Sequence, residues 1–236
     1  MISLKTFLDE GVFDPSIFKA IFLAGGPGSG KSYIAGKTTV GFGLKLVNSD
    51  ETLERLLKKH NVPLDFSTMS PDQTAKKDML RTRAKELTFG QMKVKAFKGK
   101  GALDHYIAGR LGLVIDGTGK DFDDIHRQAS YLKKMGYDTY MIFVNTSEHV
   151  AQQRNQERPR KLRPEIVRKF WSDVQHNIGK FQSYFRPSNF IVVDNNKAGE
   201  DIFNKVSKRI RKLVGKKVTN PIAQQWIAFQ MQARRR

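Results

Sequence analysis

The chain has 236 residues, of which 39% are hydrophobic, enough for one well-buried α/β domain with appendages but short for two full domains. It contains no cysteine, which excludes disulfides, thiolate metal sites and thiol nucleophiles, and no apolar run reaches the roughly 20 residues of a membrane helix. The formal net charge is +19, so the surface attracts polyanions, either nucleotides alone or nucleic acid as well.

Taken in chain order, the predicted elements alternate between helices and strands. Met1–Ser16 opens the chain as a short amphipathic helix, and because Met1–Asp14 has no continuous apolar core of the secretory kind, we expect a cytoplasmic protein. Compact apolar runs predict five strands, at Lys19–Ala24, Leu44–Asn48, Leu111–Asp116, Tyr137–Asn145 and Asn189–Asp194. Further helices are predicted at Ser29–Thr38, Asp50–His60, Thr74–Phe97, Phe122–Met135, Ser147–Gln156, Glu165–Phe185 and Glu200–Val214.

This alternation indicates a mostly parallel five-stranded sheet with helices on both faces, a three-layer α/β/α sandwich. We divide the chain into an N-terminal helical segment, a main domain and a basic C-terminal tail, at 1–18, 19–214 and 215–236. The main domain carries a helical insertion at about 61–110 and an arginine-rich lid at about 154–164.

The tail contains one more predicted amphipathic helix, Pro221–Met231. Its apolar side would consist of Ile222, Trp226, Phe229 and Ile227. The sequence leaves open whether this helix packs on the core or extends as an exposed basic arm.

A glycine-rich loop follows the first predicted strand. Gly25–Ser32 fits the phosphate-loop pattern G-x-x-x-x-G-K-[ST] at every fixed position, with a strand before it and a helix after it. Its glycines allow backbone N–H groups to point at phosphate oxygens, and the helix N-terminus adds positive charge. The predicted nucleotide-binding residues are Gly26, Gly28, Ser29, Gly30, Lys31 and Ser32. The alternative is an ordinary glycine turn between strand and helix.

Within this loop, Lys31 can reach the β- and γ-phosphates of ATP, and the Ser32 hydroxyl can ligate Mg²⁺. A phosphate loop alone does not separate kinases from GTPases, motors or helicases. The chain has no Asn-Lys-x-Asp guanine signature and is too short for most motor or helicase cores. A small P-loop NTPase of the kinase type is therefore the best fit.

Four segments together carry a family resemblance. In order they are the phosphate loop, Val47-Asn48-Ser49-Asp50, Ile115-Asp116-Gly117-Thr118-Gly119 and Arg154-Asn155-Gln156-Glu157-Arg158. Between Lys19 and Val214 the chain resembles the zeta-toxin and polynucleotide-kinase branch of P-loop kinases. The N-terminal segment Met1–Gly11 also resembles N-termini common among phage proteins. If the protein is encoded by a phage, we expect it in the cytoplasm of the host cell.

The resemblance implies roles for three residues after the second and third strands. Asp50 corresponds to the proposed base that accepts the proton of the acceptor hydroxyl, although Ser49 or Asp50 could also cap the following helix. Asp116 resembles a Walker B carboxylate that holds Mg²⁺, and Thr118 lies where this family often contacts the acceptor. The alternative for Asp116 and Thr118 is ordinary turn chemistry.

A cluster of arginines resembles a kinase lid. Arg154 and Arg158 have i,i+4 spacing, so one helical face would present both guanidinium groups to the γ-phosphoryl oxygens. Arg160 and Arg163 follow, and we include Arg163 among the acceptor-binding residues. The alternative is a solvated basic helix end.

Three functions are open at this point. The leading hypothesis is an ATP- and Mg²⁺-dependent kinase with a nucleotide or polynucleotide acceptor, whose phosphate backbone would follow Thr74–Phe97, the lid and the tail. The second is a kinase of a nucleotide sugar or another small metabolite. The third is a basic nucleic-acid-binding protein that uses ATP only as a switch.

Overall fold

The computed structural model describes residues 11–158, 161–197 and 200–234. Its strands are β1 Lys19–Ala24, β2 Lys45–Val47, β3 Leu113–Asp116, β4 Asp138–Asn145 and β5 Phe190–Asp194. Its α-helices are α1 Lys31–Phe42, α2 Ser49–Lys59, α3 Pro71–Phe89, α4 Ala102–Ala108, α5 Phe122–Lys134, α6 Glu148–Glu157, α7 Pro164–Phe185, α8 Glu200–Val214 and α9 Pro221–Ala233. The predicted alternation of strands and helices is confirmed.

The five strands form one parallel sheet in the order β2-β3-β1-β4-β5. Side chains of β1 alternate between two apolar clusters: Phe22 joins the cluster under α5 and α7, and Ile21 joins the cluster under α1 and α8. Both faces of the sheet are therefore covered, as the continuous apolar runs predict. Because all strands are parallel, the carboxyl ends of β1, β2 and β3 meet at one edge.

The helical insertion differs from its prediction at one boundary. The helix predicted to reach Phe97 ends at Phe89, and a short 3₁₀ turn follows at Gly90–Met92. Gly90 has a positive φ of 57°, and a Cβ there would collide with the Asp104 carboxylate. The chain thus turns at Gly90, and α4, which the sequence analysis did not predict, packs beside the turn.

Helices α2 and α3 pack on each other through a separate small core. Leu53 and Leu57 of α2 contact Leu80 and Ala84 of α3, and all four side chains are buried. Their i,i+4 spacings place each pair on one helical face. This core fixes the basic helix α3 beside the carboxyl edge of the sheet.

The C-terminal tail is anchored to the core by a buried ion pair. Lys19 Nζ lies 3.2 Å from Asp138 Oδ2, and burial lowers the pKa of Lys19 while the Asp138 charge opposes that change. The same carboxylate accepts bonds from Thr219 N and Thr219 Oγ1, at 2.8 and 2.7 Å. Without the tail, the buried Asp138 carboxylate would have only Lys19 as a partner, so the bonds from Thr219 satisfy its remaining acceptor capacity.

Helix α9 continues this packing on the core side of the tail. Trp226 meets the ring of Phe18 edge-on, with centroids 5.6 Å apart, and Ala223 is fully buried. Two residues predicted on the apolar side are instead exposed: Ile222 by 51% and Phe229 by 64%. The packed alternative for this helix is thus correct, but its buried side runs through Ala223 and Trp226.

Little of the predicted N-terminal helix falls within the described residues. Of the predicted N-terminal helix, only 11–13 fall among the described residues with helical structure, and Met1–Glu10 lie outside them. Across the described ranges, no helix is both long enough and apolar enough to span a membrane.

Candidate active site

The phosphate loop lies between β1 and α1, at the carboxyl edge of the sheet. Gly28 and Gly30 have positive φ values of 75° and 88°. A Cβ on Gly28 would lie 2.5 Å from the Ala151 carbonyl oxygen, so only glycine allows this loop to pass so close to α6. Lys31 begins α1, and its Nζ lies 3.1 Å from the Gly26 carbonyl oxygen.

An asparagine beyond β5 holds the loop from the other side. Asn195 Nδ2 donates to the Ser29 carbonyl oxygen at 2.7 Å, and the Asn195 backbone N–H donates to the Asn145 carbonyl at 2.8 Å. The sequence analysis missed this residue. Its position directly after a buried strand was the available signal, since β5 ends at the same edge as β1.

Ser32 in the first turn of α1, Asn48 just after β2 and Asp116 at the end of β3 converge at the carboxyl edge of the sheet. Ser32 Oγ lies 3.5 Å from Asp116 Oδ2, and Asn48 Nδ2 donates to that oxygen at 3.1 Å. Burial raises the pKa of the Asp116 carboxyl, as does the negative charge of Asp50, while the charge of Lys31 acts against the rise.

This donor set suits a magnesium ion. A hydroxyl and a carboxylate are hard oxygen ligands, and Mg²⁺ normally completes its shell with water and substrate phosphates. No group of three or more His, Asp or Glu among the described residues could bind a metal ion unaided. Ser32 and Asp116 would therefore hold Mg²⁺ together with ATP, and the ion would supply charge neutralisation at the phosphates.

Asp50 lines the same cleft from the first turn of α2. Neither it nor Ser49 caps that helix: Asn48 Oδ1 accepts from the Asp50 backbone N–H at 2.7 Å. The capping alternative for Asp50 is thus wrong, because Asn48 already provides the cap. The Asp50 carboxylate stands at the cleft wall near Asp116.

Thr118 also lines the cleft, as the resemblance implied. Its backbone carbonyl accepts from the Gly25 N–H at 3.0 Å, which joins the loop after β3 to the start of the phosphate loop. The loop after β3 therefore has a fixed position relative to the phosphate loop.

Two of the predicted lid arginines face the phosphate loop. Arg154 and Arg158 both line the cleft, and Arg154 Nη1 lies 3.4 Å from the Gly28 carbonyl oxygen. Helix α6 ends at Glu157, so Arg158 has extended backbone and the two residues do not share one helical face as predicted. Arg160 lies outside the described residues.

Arg163 is not brought to the cleft. It precedes Pro164 as the N-terminal flanking residue of α7, and its Nε lies 3.4 Å from the Ser67 carbonyl oxygen. The acceptor-binding role predicted for Arg163 therefore has no support in the geometry, because its guanidinium group bonds the segment before α3 instead.

The wall opposite the phosphate loop is basic. The cleft, of about 780 Å³, is lined there by Arg81, Lys85, Lys93, Lys120 and Arg127. Burial and the nearby positive charges of Arg81 and Lys85 lower the pKa of Lys120. The sequence analysis assigned the three residues of the insertion to a possible phosphate track but missed Lys120 and Arg127, which stand singly among unrelated neighbours in the sequence.

The family model described as "Zeta toxin" matches residues 83–206, more than half of the chain. No curated protein matches the sequence significantly.

Solved structures share the fold at low identity. A putative kinase from Chloroflexus aurantiacus superposes with a TM-score of 0.54 at 12% identity, covering 82% of this chain and 97% of that one. A structure from the PezAT chromosomal toxin-antitoxin system of Streptococcus pneumoniae has a TM-score of 0.54 at 14% identity, covering 91% and 94%. Both similarities establish the fold alone.

Proposed function

The chain belongs to the zeta-toxin family of P-loop kinases, and on that premise we propose that it transfers the γ-phosphoryl group of ATP to a hydroxyl group of a nucleotide or polynucleotide. The nucleotide side of the cleft supports ATP binding through the phosphate-loop backbone and Lys31. Lys31 would neutralise charge on the β- and γ-phosphates as the bond to the leaving oxygen lengthens.

Asp50 would act on the acceptor. Its carboxylate lines the cleft beyond β2 and is not used as a helix cap, so it can accept the proton of the attacking hydroxyl or orient that hydroxyl toward the γ-phosphorus. Asp116, whose pKa is raised by burial, has Ser32 and Asn48 as its polar neighbours and is better suited to the magnesium ion.

Arg154 and Arg158 would complete the site from the lid. Transfer spreads negative charge over the equatorial oxygens of the moving phosphoryl group, and planar guanidinium groups can bind two such oxygens at once. Arg154 already lies beside the phosphate loop, with its Nη1 3.4 Å from the Gly28 carbonyl oxygen, and Arg158 lines the same cleft.

One observation carries the choice of acceptor: the cleft is lined by Arg81, Lys85 and Lys120, in addition to Lys93 and Arg127, which pair with Asp124. Such an excess of positive charge favours an acceptor that itself brings negative charge, as a nucleotide or nucleic-acid end does. A nucleotide sugar also carries phosphates, and the family match favours it as the second candidate acceptor.

The test is transfer from γ-labelled ATP to a panel of 5′-hydroxyl oligonucleotides, nucleoside monophosphates and nucleotide sugars. We expect label in one of these three phosphate-bearing classes and none in neutral sugars assayed beside them. The Lys31→Ala variant serves as the blank. Label appearing only as free phosphate, at a rate that no acceptor alters, would favour an ATP switch over a kinase.

A further inference from the structure

A second cavity, of about 560 Å³, adjoins the cleft on the side of the helical insertion. The two cavities share Asp124, Arg127 and Gln128 of α5 in their walls. The second one continues past the Gly90 turn, between the loop that carries Lys95 and the exposed side of α5. A ligand that begins beside the phosphate loop can therefore extend across α5 into a separate space.

The walls of the second cavity carry an excess of positive charge. They contain four basic residues, Lys95, Lys98, Lys100 and Arg127, and two acidic ones, Asp104 and Asp124. Asp104 is occupied as part of a helix cap, where it accepts from the Gly101 N–H at 2.8 Å.

Asp124 is likewise occupied at the junction of the two cavities. Its Oδ2 lies 3.0 Å from Lys93 Nζ, and its Oδ1 lies 3.4 Å from Arg127 Nη2. With both carboxylates bound, the three exposed lysines of the loop remain to attract an anion.

A buried carboxamide at this junction offers an unused hydrogen-bond acceptor. Gln128 is only 4% exposed, and its Nε2 donates to Asp124 Oδ2 at 3.0 Å. That bond fixes the orientation of the amide and leaves Oε1 without a partner among the described residues. An orphaned acceptor in the wall of a cavity indicates a ligand that donates to it.

We propose that this second cavity is the subsite for the distal, phosphorylated part of the acceptor, an inference that rests on the proposed kinase function. A phosphodiester or pyrophosphate group binds Lys95, Lys98 and Lys100, and a hydroxyl or amino group of the same molecule donates to Gln128 Oε1. The acceptor class is thus a molecule that carries a phosphate group at a distance from its reacting hydroxyl. Inorganic phosphate and neutral sugars lack one of these two features.

Binding without ATP tests the subsite separately from transfer. The probes are a 5′-hydroxyl pentanucleotide with a 3′ fluorophore, read by anisotropy, and UDP-glucose, read by calorimetry, both near 0.1 M salt. The variants are the double change Lys98→Glu/Lys100→Glu and the single change Gln128→Met. The matched control is Lys205→Glu/Lys208→Glu, which makes the same charge change at exposed positions on α8, across the sheet.

We expect the Lys98/Lys100 variant to weaken the better-bound probe about tenfold or more, because two phosphate contacts become repulsive. Gln128→Met should weaken it about three- to tenfold, the effect of one lost hydrogen bond. The control should change affinity less than about twofold, since its charges lie beyond the screening length. ATP affinity should be unchanged in all three variants.

Three results would overturn the subsite. The control variant could weaken probe binding as much as the subsite variants do, neither subsite variant could weaken it, or the wild-type protein could bind neither probe. Which probe responds decides between a polynucleotide and a nucleotide sugar. If the probes bind as expected while no acceptor is phosphorylated, the kinase proposal fails and the second cavity remains an anion subsite.

Discussion

At the scale of single residues, Asp116 lowers the stability of the folded protein and has a proposed role in binding Mg²⁺. Burial raises the pKa of its carboxyl above the ordinary value, which means that the folded state holds the proton more tightly than the unfolded state. The carboxylate therefore disfavours folding as pH rises through and above its unfolded pKa. The charged form of Asp116 is thus unfavourable in the folded apo protein, and the proposed Mg²⁺ would relieve that cost.

We accordingly predict that Asp116→Asn raises the melting temperature of the apo protein at pH 7 while transfer falls about 10²-fold or more. The gain in stability should shrink as the pH falls from 7 toward 4, because the folded wild-type protein takes up a proton on Asp116 at a higher pH than an ordinary carboxyl does. Calorimetric scans at both pH values measure it. A variant that is less stable at pH 7 would show that the bond from Asn48 outweighs the burial of charge.

At the scale of elements, the end of α6 determines what the lid can do. Arg158 follows the last helical residue with extended backbone, yet it lines the cleft beside Arg154. A residue in that position can change its direction without unwinding a full helical turn. We therefore propose that Arg158, the first residue after the helix, is the adjustable part of the lid.

For this lid we predict that Arg158→Ala lowers transfer at saturating substrates about 10²-fold, with little change in ATP affinity, because the guanidinium group acts on the transition state. Arg158→Lys should recover part of the loss, since it keeps the charge but not the planar fork. Rates and ATP titrations on both variants provide the comparison. Full activity of the alanine variant would remove Arg158 from the lid.

Helix α9 offers a matched pair of aromatic residues on one element. Trp226 packs on Phe18, whereas Phe229 is 64% exposed. We predict that Trp226→Ala destabilises the protein by about 2–3 kcal/mol, while Phe229→Ala changes stability by less than about 0.5 kcal/mol. Urea unfolding of both variants measures the difference. Equal effects would mean that α9 packs through the other side in solution.

At the scale of the whole molecule, the excess of 42 basic over 23 acidic residues should steer anionic acceptors to the cleft. We predict that binding of a single-stranded oligonucleotide weakens with salt, with a log–log slope of about −0.7 for each phosphate contacted. Anisotropy titrations between low and moderate salt give the slope. A flat response, or no binding at low salt, would favour a small-metabolite acceptor.

Much of the fold was predictable from the sequence because the three central strands, β1, β3 and β4, are buried on both faces and read as continuous apolar runs. The phosphate loop and the carboxylates after β2 and β3 were predictable because parallel strands bring their ends to one edge. The turn at Gly90 was missed since the residues after it continue the helical composition of α3, and only the approach of Asp104, 14 positions later, selects the turn.

The remaining gaps in the site have a common physical origin. Lys120 and Arg127 reach the cleft only through tertiary packing, and no local pattern distinguishes them from other polar residues. Arg163 is the reverse case. Its position in a local cluster of arginines suggested a lid residue, but its Nε donates to the Ser67 carbonyl oxygen. Patterns within one element were informative here, whereas contacts between elements required the structure.

The central claim, that this molecule is a kinase whose acceptor is activated by Asp50, is tested most directly by Asp50→Asn in two paired measurements. ATP affinity by calorimetry should stay within about twofold of wild type, because the role proposed for Asp50 is on the acceptor and not on ATP. Transfer of the γ-phosphoryl group should fall by about 10²–10⁴-fold, the usual worth of a positioned general base. Transfer that persists at the wild-type rate, or that falls only as far as ATP binding does, would contradict the account.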